Sequence, residues 1–191
     1  MRSHFSGSIN ATTRAAGFIG YVYGSQTVPS EINIIESTSS PTPNENGYGI
    51  QSVYAISAIV GFQYWGQQLI VKDSKVDGIF HSDNSYTGIC QLHDKTLNII
   101  SIDRTIVAPS VSPETPVSYA ILGATPTNAT FIFTDSFFFK EDTWLNATSQ
   151  QTYTDLELKE ITTYDGSSFS FDAFDPWSFV GATIPTLTEA P

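Results

Sequence analysis

A small residue, two apolar residues and a glycine recur three times in this chain, and each copy is followed by a second apolar run. The copies are Gly17-Phe18-Ile19-Gly20, Ala58-Ile59-Val60-Gly61 and Ala120-Ile121-Leu122-Gly123. The runs that follow are Ile32-Asn33-Ile34-Ile35, Leu69-Ile70-Val71 and Phe131-Ile132-Phe133. Runs this short, β-branched or aromatic and bounded by glycine, read as strands rather than helices. A repeated strand, turn, strand unit, clearest over Ser57 to Asp73, therefore restricts the chain to all-β architectures.

The rest of the chain agrees with that class. Tyr48 to Val60, Thr87 to Leu92, Thr96 to Ile102, Thr105 to Ala108, Val117 to Leu122 and Phe137 to Lys140 are further strand candidates. Pro41 and Pro43 with Asn46-Gly47, and the three prolines of 109–116, mark connectors. Asp77-Gly78 before Ile79 predicts a hairpin. Ser168 to Phe174 alternates Ser-Phe-Ser-Phe and predicts a strand with Phe169 and Phe171 on one face. Asp155 to Ile161 is the one segment equally suited to a short helix or a strand. The division expected is a polar arm over 1–13, a single all-β domain over 14–181 and an extended tail over 182–191.

The repeat begins at Gly17, Ala58 and Ala120, so its second step is half as long again as its first. The first step fits a propeller blade of roughly 40 to 50 residues and the second a blade with an insertion. Antiparallel sheets arranged as propeller-like blades are the expectation, with a β-sandwich or jelly roll as the alternative.

Two stretches carry a family resemblance: Ser57-Ala58-Ile59-Val60 followed by Leu69-Ile70-Val71-Lys72, and Val107-Ala108-Pro109 leading through Pro116-Val117 to Ala120-Ile121. Over residues 57–144 the chain resembles the fungal fucose-binding lectin family of β-propellers. The resemblance implies a glycan ligand held by an arginine, a glutamate and a tryptophan. Where the family has arginine this sequence has Asn33, Ile70 and Ile132, while Glu141 and Trp144 match the glutamate and tryptophan of one pocket.

Charge narrows the partners. Eight basic residues against nineteen acids give a net charge of −11, a field that repels nucleic acid and anionic membranes. Forty per cent of residues are apolar, enough to exclude wholesale disorder. Charged residues are 14%, so the surface is built largely of Ser, Thr, Asn and Gln. No apolar stretch has the length of about 18 residues that a membrane helix needs. The N-terminal residues lack the apolar core of a signal peptide, and the cellular compartment stays open. The sequons at Asn10, Asn128 and Asn146 read as chance products of a Thr-rich composition.

Sugar binding needs a ring face against the C–H patch of the sugar and polar groups on its hydroxyls. Two clusters have that composition: Tyr64 and Trp65 with Gln67, and Glu141 with Trp144. Asp83 to Gly88 with Asp94 has the outline of a calcium loop, but strand-like sequence flanks it and it reads as a turn. Cys90, the single cysteine, lies between apolar neighbours and reads as a buried hydrophobe despite His81 and His93 nearby. No nucleophile elbow, phosphate loop or zinc-protease motif is present, and no metal or cofactor is expected. The function expected is that of a lectin-like, non-catalytic carbohydrate-binding protein. The alternative is an assembly subunit of a capsid, fibre or pilus, with an oligomer of identical chains compatible with either.

Overall fold

In a computed structural model, which describes residues 3–20, 22–23, 30–64, 67–92, 98–120, 129–141, 152–172 and 175–188, the chain winds into a β-solenoid. The first coil consists of β1 (His4–Phe5), β2 (Ile9–Ala11), β3 (Arg14–Ala16), β4 (Val22–Tyr23) and β5 (Ser30–Ile35). The second repeats the order with β6 (Thr38–Ser39), β7 (Ile50–Ser52), β8 (Ala55–Ser57), β9 (Val60–Tyr64) and β10 (Gln67–Lys72). The third has β11 (Lys75–Val76), β12 (Ile79–Ser82), β13 (Ser85–Thr87), β14 (Cys90–Leu92) and β15 (Asn98–Asp103). The fourth has β16 (Ile106–Val107), β17 (Ser110–Val111), β18 (Val117–Tyr119) and β19 (Ala129–Thr134). β20 (Phe137–Phe139) opens the next turn, and β21 (Thr152–Tyr153) lies beside it.

Every strand of the coils pairs in parallel with its counterpart one turn away, as in the sheet β19-β15-β10-β5. This overturns the expected antiparallel, propeller-like blades, and the sandwich and jelly-roll alternative with them. The apolar runs that follow one another in sequence are successive sides of one turn, not partners across a hairpin. Asp77-Gly78 is accordingly a corner between β11 and β12. Among the described residues the one antiparallel pair is β22 (Trp177–Ser178) with β23 (Thr186–Leu187).

The register explains the repeat. Leu69 pairs with Ile100 and Ile100 with Phe131, so two successive turns there are of equal length. Against that period, the step from Gly17 to Ala58 is one lengthened turn, and the step from Ala58 to Ala120 is two ordinary ones. Most of the lengthening comes from Ser40 to Gly49, between β6 and β7, and the turn left uncounted carries Gly88, one residue past the Thr87–Ser57 pair. Glycine recurs because neighbouring coils touch. A Cβ on Gly17 would come within 2.2 Å of the Ala58 carbonyl oxygen, and one on Gly61 within 2.3 Å of that of Gly20.

Alternation along each strand sends one set of side chains into the solenoid. Leu69, Val71, Val76, Ile50, Phe80, Ile59, Ile100 and Ile102 are fully buried there, stacked on like residues of the next coil. Cys90 and Tyr86 join them, and burial pushes both the thiol and the phenol pKa up. One corner recurs with a left-handed residue, Glu36, Asp73, Arg104 and Asp135, each with φ between 45° and 48°. Each precedes a buried Ser or Thr whose hydroxyl donates to the carbonyl two residues back: Ser37 to Ile35 at 2.9 Å, Ser74 to Lys72 at 2.8 Å, Thr105 to Asp103 at 2.9 Å and Ser136 to Thr134 at 3.0 Å. Those bonds satisfy hydroxyls that burial would otherwise leave without water.

A second core forms outside the solenoid. On β16 and β20, Val107 and Phe138 point in, while Ile106 and Phe137 point out against Leu158, Tyr164, Phe169 and Trp177. α1 (Asp155–Leu158), capped reciprocally by Thr154 and Glu157, and a 3₁₀ turn over Ile161–Tyr164 lead into this segment. The strand expected over Ser168 to Phe174 is absent from its described part, 168–172: Phe171 has φ 53°, and Phe169 and Phe171 turn into the aromatic cluster. Edge-on and tilted ring contacts with Phe137, Tyr164 and Trp177 outweigh the local alternation.

The segment is latched to the recurring corner. Arg104 Nε lies 2.6 Å from Asp73 Oδ1 and Arg104 Nη2 2.5 Å from Asp175 Oδ1, and Trp177 Nε1 donates to Asp73 at 3.3 Å. Burial opposes the charge on Asp175, but the amides of Ser170, Trp177 and Phe171, with Arg104, outweigh it and hold this carboxyl below the usual carboxylate range.

Ile100→Ala, in the middle of the stack, lowers unfolding stability by about 2–5 kcal/mol. Ile132→Ala, at a side chain 49% exposed, changes it by about 0.5 kcal/mol or less. Urea unfolding of the two variants measures both. A carboxyl with a depressed folded pKa contributes stability that is complete above its unfolded value, near 3.9, and is lost as pH falls through the folded value. Asp175→Asn therefore costs about 1.5–3 kcal/mol at neutral pH and removes part of the acid-induced loss below about pH 4, read from unfolding curves at pH 7 and pH 3.

Candidate functional site

The outward face of the sheet β1-β6-β11-β16-β20 changes character along its length. In register across it stand His4, Thr38, Lys75, Ile106 and Phe137. The last two are covered by the C-terminal segment. The first three open onto a cleft of about 470 Å³, closed on its far side by Thr186, Leu187 and Thr188. Leu187 pairs with Trp177, so the latch at Arg104 fixes this wall of the cleft as well.

Lys75 is the centre of the cleft. Its side chain is 9% exposed, and its ammonium lies 2.9 Å from Asp77 Oδ2, two residues along on the same face. A buried ammonium without such a partner would be strongly disfavoured. His4 Nδ1 lies 2.5 Å from Thr38 Oγ1, and Glu36 and Ser40 complete the rim. Acid, base and hydroxyl groups thus converge around one apolar contact, Leu187. One positive and two negative side chains disfavour an anion and suit a neutral, hydroxyl-rich molecule.

Of the residues expected from sequence, the described ones, Tyr64, Gln67 and Glu141, are not among those lining the cleft. Tyr64 ends β9 and Gln67 begins β10, at the corner where the four-stranded sheet starts. Trp65 and Trp144 lie outside the described residues. Glu141 is exposed just after β20, beyond the far end of that sheet. A six-residue strand of about 20 Å separates the corner of Tyr64 and Gln67 from the one before β20, and Glu141 belongs to a later turn, so the described members of the two clusters do not meet. Asn10 is exposed, while Asn128 and Asn146 lie outside the described residues.

Asp83 to Gly88 forms a corner and β13, with Tyr86 in the core and Asp83 on His81 Nε2 at 3.1 Å. Asp94 and His93 are outside the described residues, among which no cluster of three or more His, Cys, Asp or Glu is grouped to hold a metal. No described helix is long and apolar enough to cross a membrane.

The cleft residues had a sequence signal that only the coil period exposes. Glu36-Ser37-Thr38-Ser39-Ser40 and Asp73-Ser74-Lys75-Val76-Asp77 occupy the same corner one turn apart. Without the period, Asp77 reads as a turn residue and Lys75 as a surface charge. Comparison with family models, with curated proteins and with solved structures gave no match, and the reading of the cleft rests on its geometry.

Proposed function

We propose that the protein is a lectin-like carbohydrate-binding module, and that the cleft at Lys75 takes a neutral sugar. The observation that carries this is the pair of buried Lys75 and half-buried Asp77, 2.9 Å apart, at a cleft of about 470 Å³. An ammonium has three donors and a carboxylate several acceptor sites. Across a vicinal diol, Lys75 donates to one hydroxyl oxygen while Asp77 accepts from the next hydroxyl. Thr38, Ser40 and Thr188 supply further donors and acceptors, and Leu187 lies against the C–H face. The volume falls in the range of about 300–1,000 Å³ typical of small-molecule sites. No step of bond making or breaking is assigned to these groups.

A leucine in place of an aromatic platform limits affinity, and a monosaccharide binds in the millimolar range, about −4 kcal/mol. A glycan array followed by ligand-observed NMR tests the proposal. Lys75→Met weakens binding by about tenfold or more, since a hydrogen bond to a charged group is worth about 1.5–3 kcal/mol. Retained sugar binding in folded Lys75→Met, lost instead in Trp65→Ala or Trp144→Ala, would move the site to the aromatic clusters with Tyr64 and Gln67 or with Glu141. A blank array from folded protein overturns the lectin reading.

A further inference from the structure

We infer that the segment from Thr154 to Thr188 is a separate cooperative unit that leaves the solenoid in acid while the coils stay wound, taking with it the wall that closes the cleft at Lys75. The two units have separate cores. Among the described residues the last buried member of the solenoid core is Phe138, whereas Leu158, Tyr164, Phe169 and Trp177 pack on one another and meet the coils at the outward Ile106 and Phe137. Charged groups hold the boundary at the row of left-handed corners. Asp73 accepts from Trp177 Nε1 at 3.3 Å, Arg104 donates to the Ser168 carbonyl and to Asp175, and Asp135 accepts from the Ser168 amide at 2.9 Å. Parts of a fold joined by few contacts open separately, each with its own free energy.

Acid acts on this boundary more than on the coils. The Asp175 side chain is 1% exposed and accepts from Arg104 and from the amides of Ser170 at 2.6 Å, Phe171 at 3.2 Å and Trp177 at 3.1 Å. A proton on it sets a donor against those donors and leaves Asp73 as the remaining counter-charge of Arg104. The depressed pKa of Asp175 means that its contribution is complete above the unfolded value of about 3.9 and is lost as pH falls through the folded one. The other titratable and charged groups around the contact are Asp135 on the next corner, Lys72 and Asp103 beside the corners, Asp165 and Asp172 on the segment, and the phenols of Tyr153 and Tyr164. Burial pushes both phenols up, so they stay protonated, and the carboxyls lose charge together with Asp175. The coils depend on backbone ladders, apolar side chains and hydroxyls, and their ion pairs Lys72–Asp103 and Lys75–Asp77 lie on outward faces. Protonation also relieves the self-repulsion of a chain whose net charge is −11. Once detached, a segment of this size is too short to keep its own core and unfolds.

The test is amide hydrogen exchange of the intact protein from pH 7 to pH 3, each amide scored against its intrinsic rate at that pH. The expected result is loss of protection at 156–172 and 177–179 below about pH 4, with 69–72 and 99–103 still protected. In Asp175→Asn the segment's protection is at least tenfold lower already at pH 7 and depends less on pH. Asp165→Asn, at an exposed carboxyl of the same segment, matches the unmodified protein. Loss of both regions in one transition, a segment still protected at pH 3, or an Asp175→Asn profile equal to that of the unmodified protein would each overturn the inference. The profile of the unmodified protein decides it even where a variant does not fold. The consequence for the cleft rests on the sugar reading: Asp175→Asn, whose side chain lies outside the cleft, weakens sugar binding at pH 7, and equal binding would overturn the part assigned to the wall. A protein that binds no sugar at pH 7 fails the sugar reading alone, and the exchange profile still decides this one.

Discussion

An inward side chain on a middle coil is held between two others of its kind, one turn above and one turn below. That sandwich is what the rest of the structure depends on. The sides of a turn make few contacts of their own that would keep them in place, and parallel hydrogen bonds run only between turns. Burial of Leu69, Ile100 and Val71 therefore fixes the register of β5, β10, β15 and β19 together. A slip by one residue would turn every apolar side chain of a strand outward. The buried Ser and Thr hydroxyls at the left-handed corner work in the same direction: each donates to a carbonyl of its own turn, and two also tie neighbouring turns together, Ser136 Oγ donating to the Ile102 carbonyl and the Ser37 amide donating to Ser74 Oγ.

The same corner carries the scaffold outward. Its left-handed residues project Asp73 and Arg104 from the solenoid, and their pairing with Asp175 and Trp177 draws the C-terminal segment across Ile106 and Phe137. That cover stops before Lys75. The cleft exists because the outward row passes from apolar residues that must be covered to polar ones that need not be. Its far wall belongs to β23, so the ion-pair latch and the proposed sugar site form one mechanical unit. An acid pH that protonates Asp175 loosens the wall as well as the second core.

Much of the secondary structure was legible locally. The apolar runs at 32–35, 69–71 and 131–133 all lie within strands, and the ambiguous 155–161 contains the whole of a short helix, Asp155–Leu158, capped by Thr154 and Glu157. The tertiary pairing was not legible, because a parallel partner lies a whole turn away with no tight hairpin between to announce it. The propeller expectation followed from one lengthened turn: the loop around Pro41 and Pro43 stretched the step from Gly17 to Ala58 to the length of a blade, and Gly88 was passed over. Ser168 to Phe174 went wrong for a different reason. Its alternation is genuine, but an aromatic cluster captured Phe169 and Phe171 separately.

By itself the sequence determined an all-β chain with a large apolar core, few charged residues and a net charge of −11. Those properties depend on residue type and spacing, which no fold can alter. Only the tertiary structure decided that the strands run parallel, that Glu36 to Ser40 and Asp73 to Asp77 are the same corner, and that Lys75 meets Asp77 under a wall brought from 186–188. Each of these depends on contacts between residues one or more turns apart. The physical reason is that coil stacking is a long-range interaction, and a chain read in order shows its sides but not the turns that cover them.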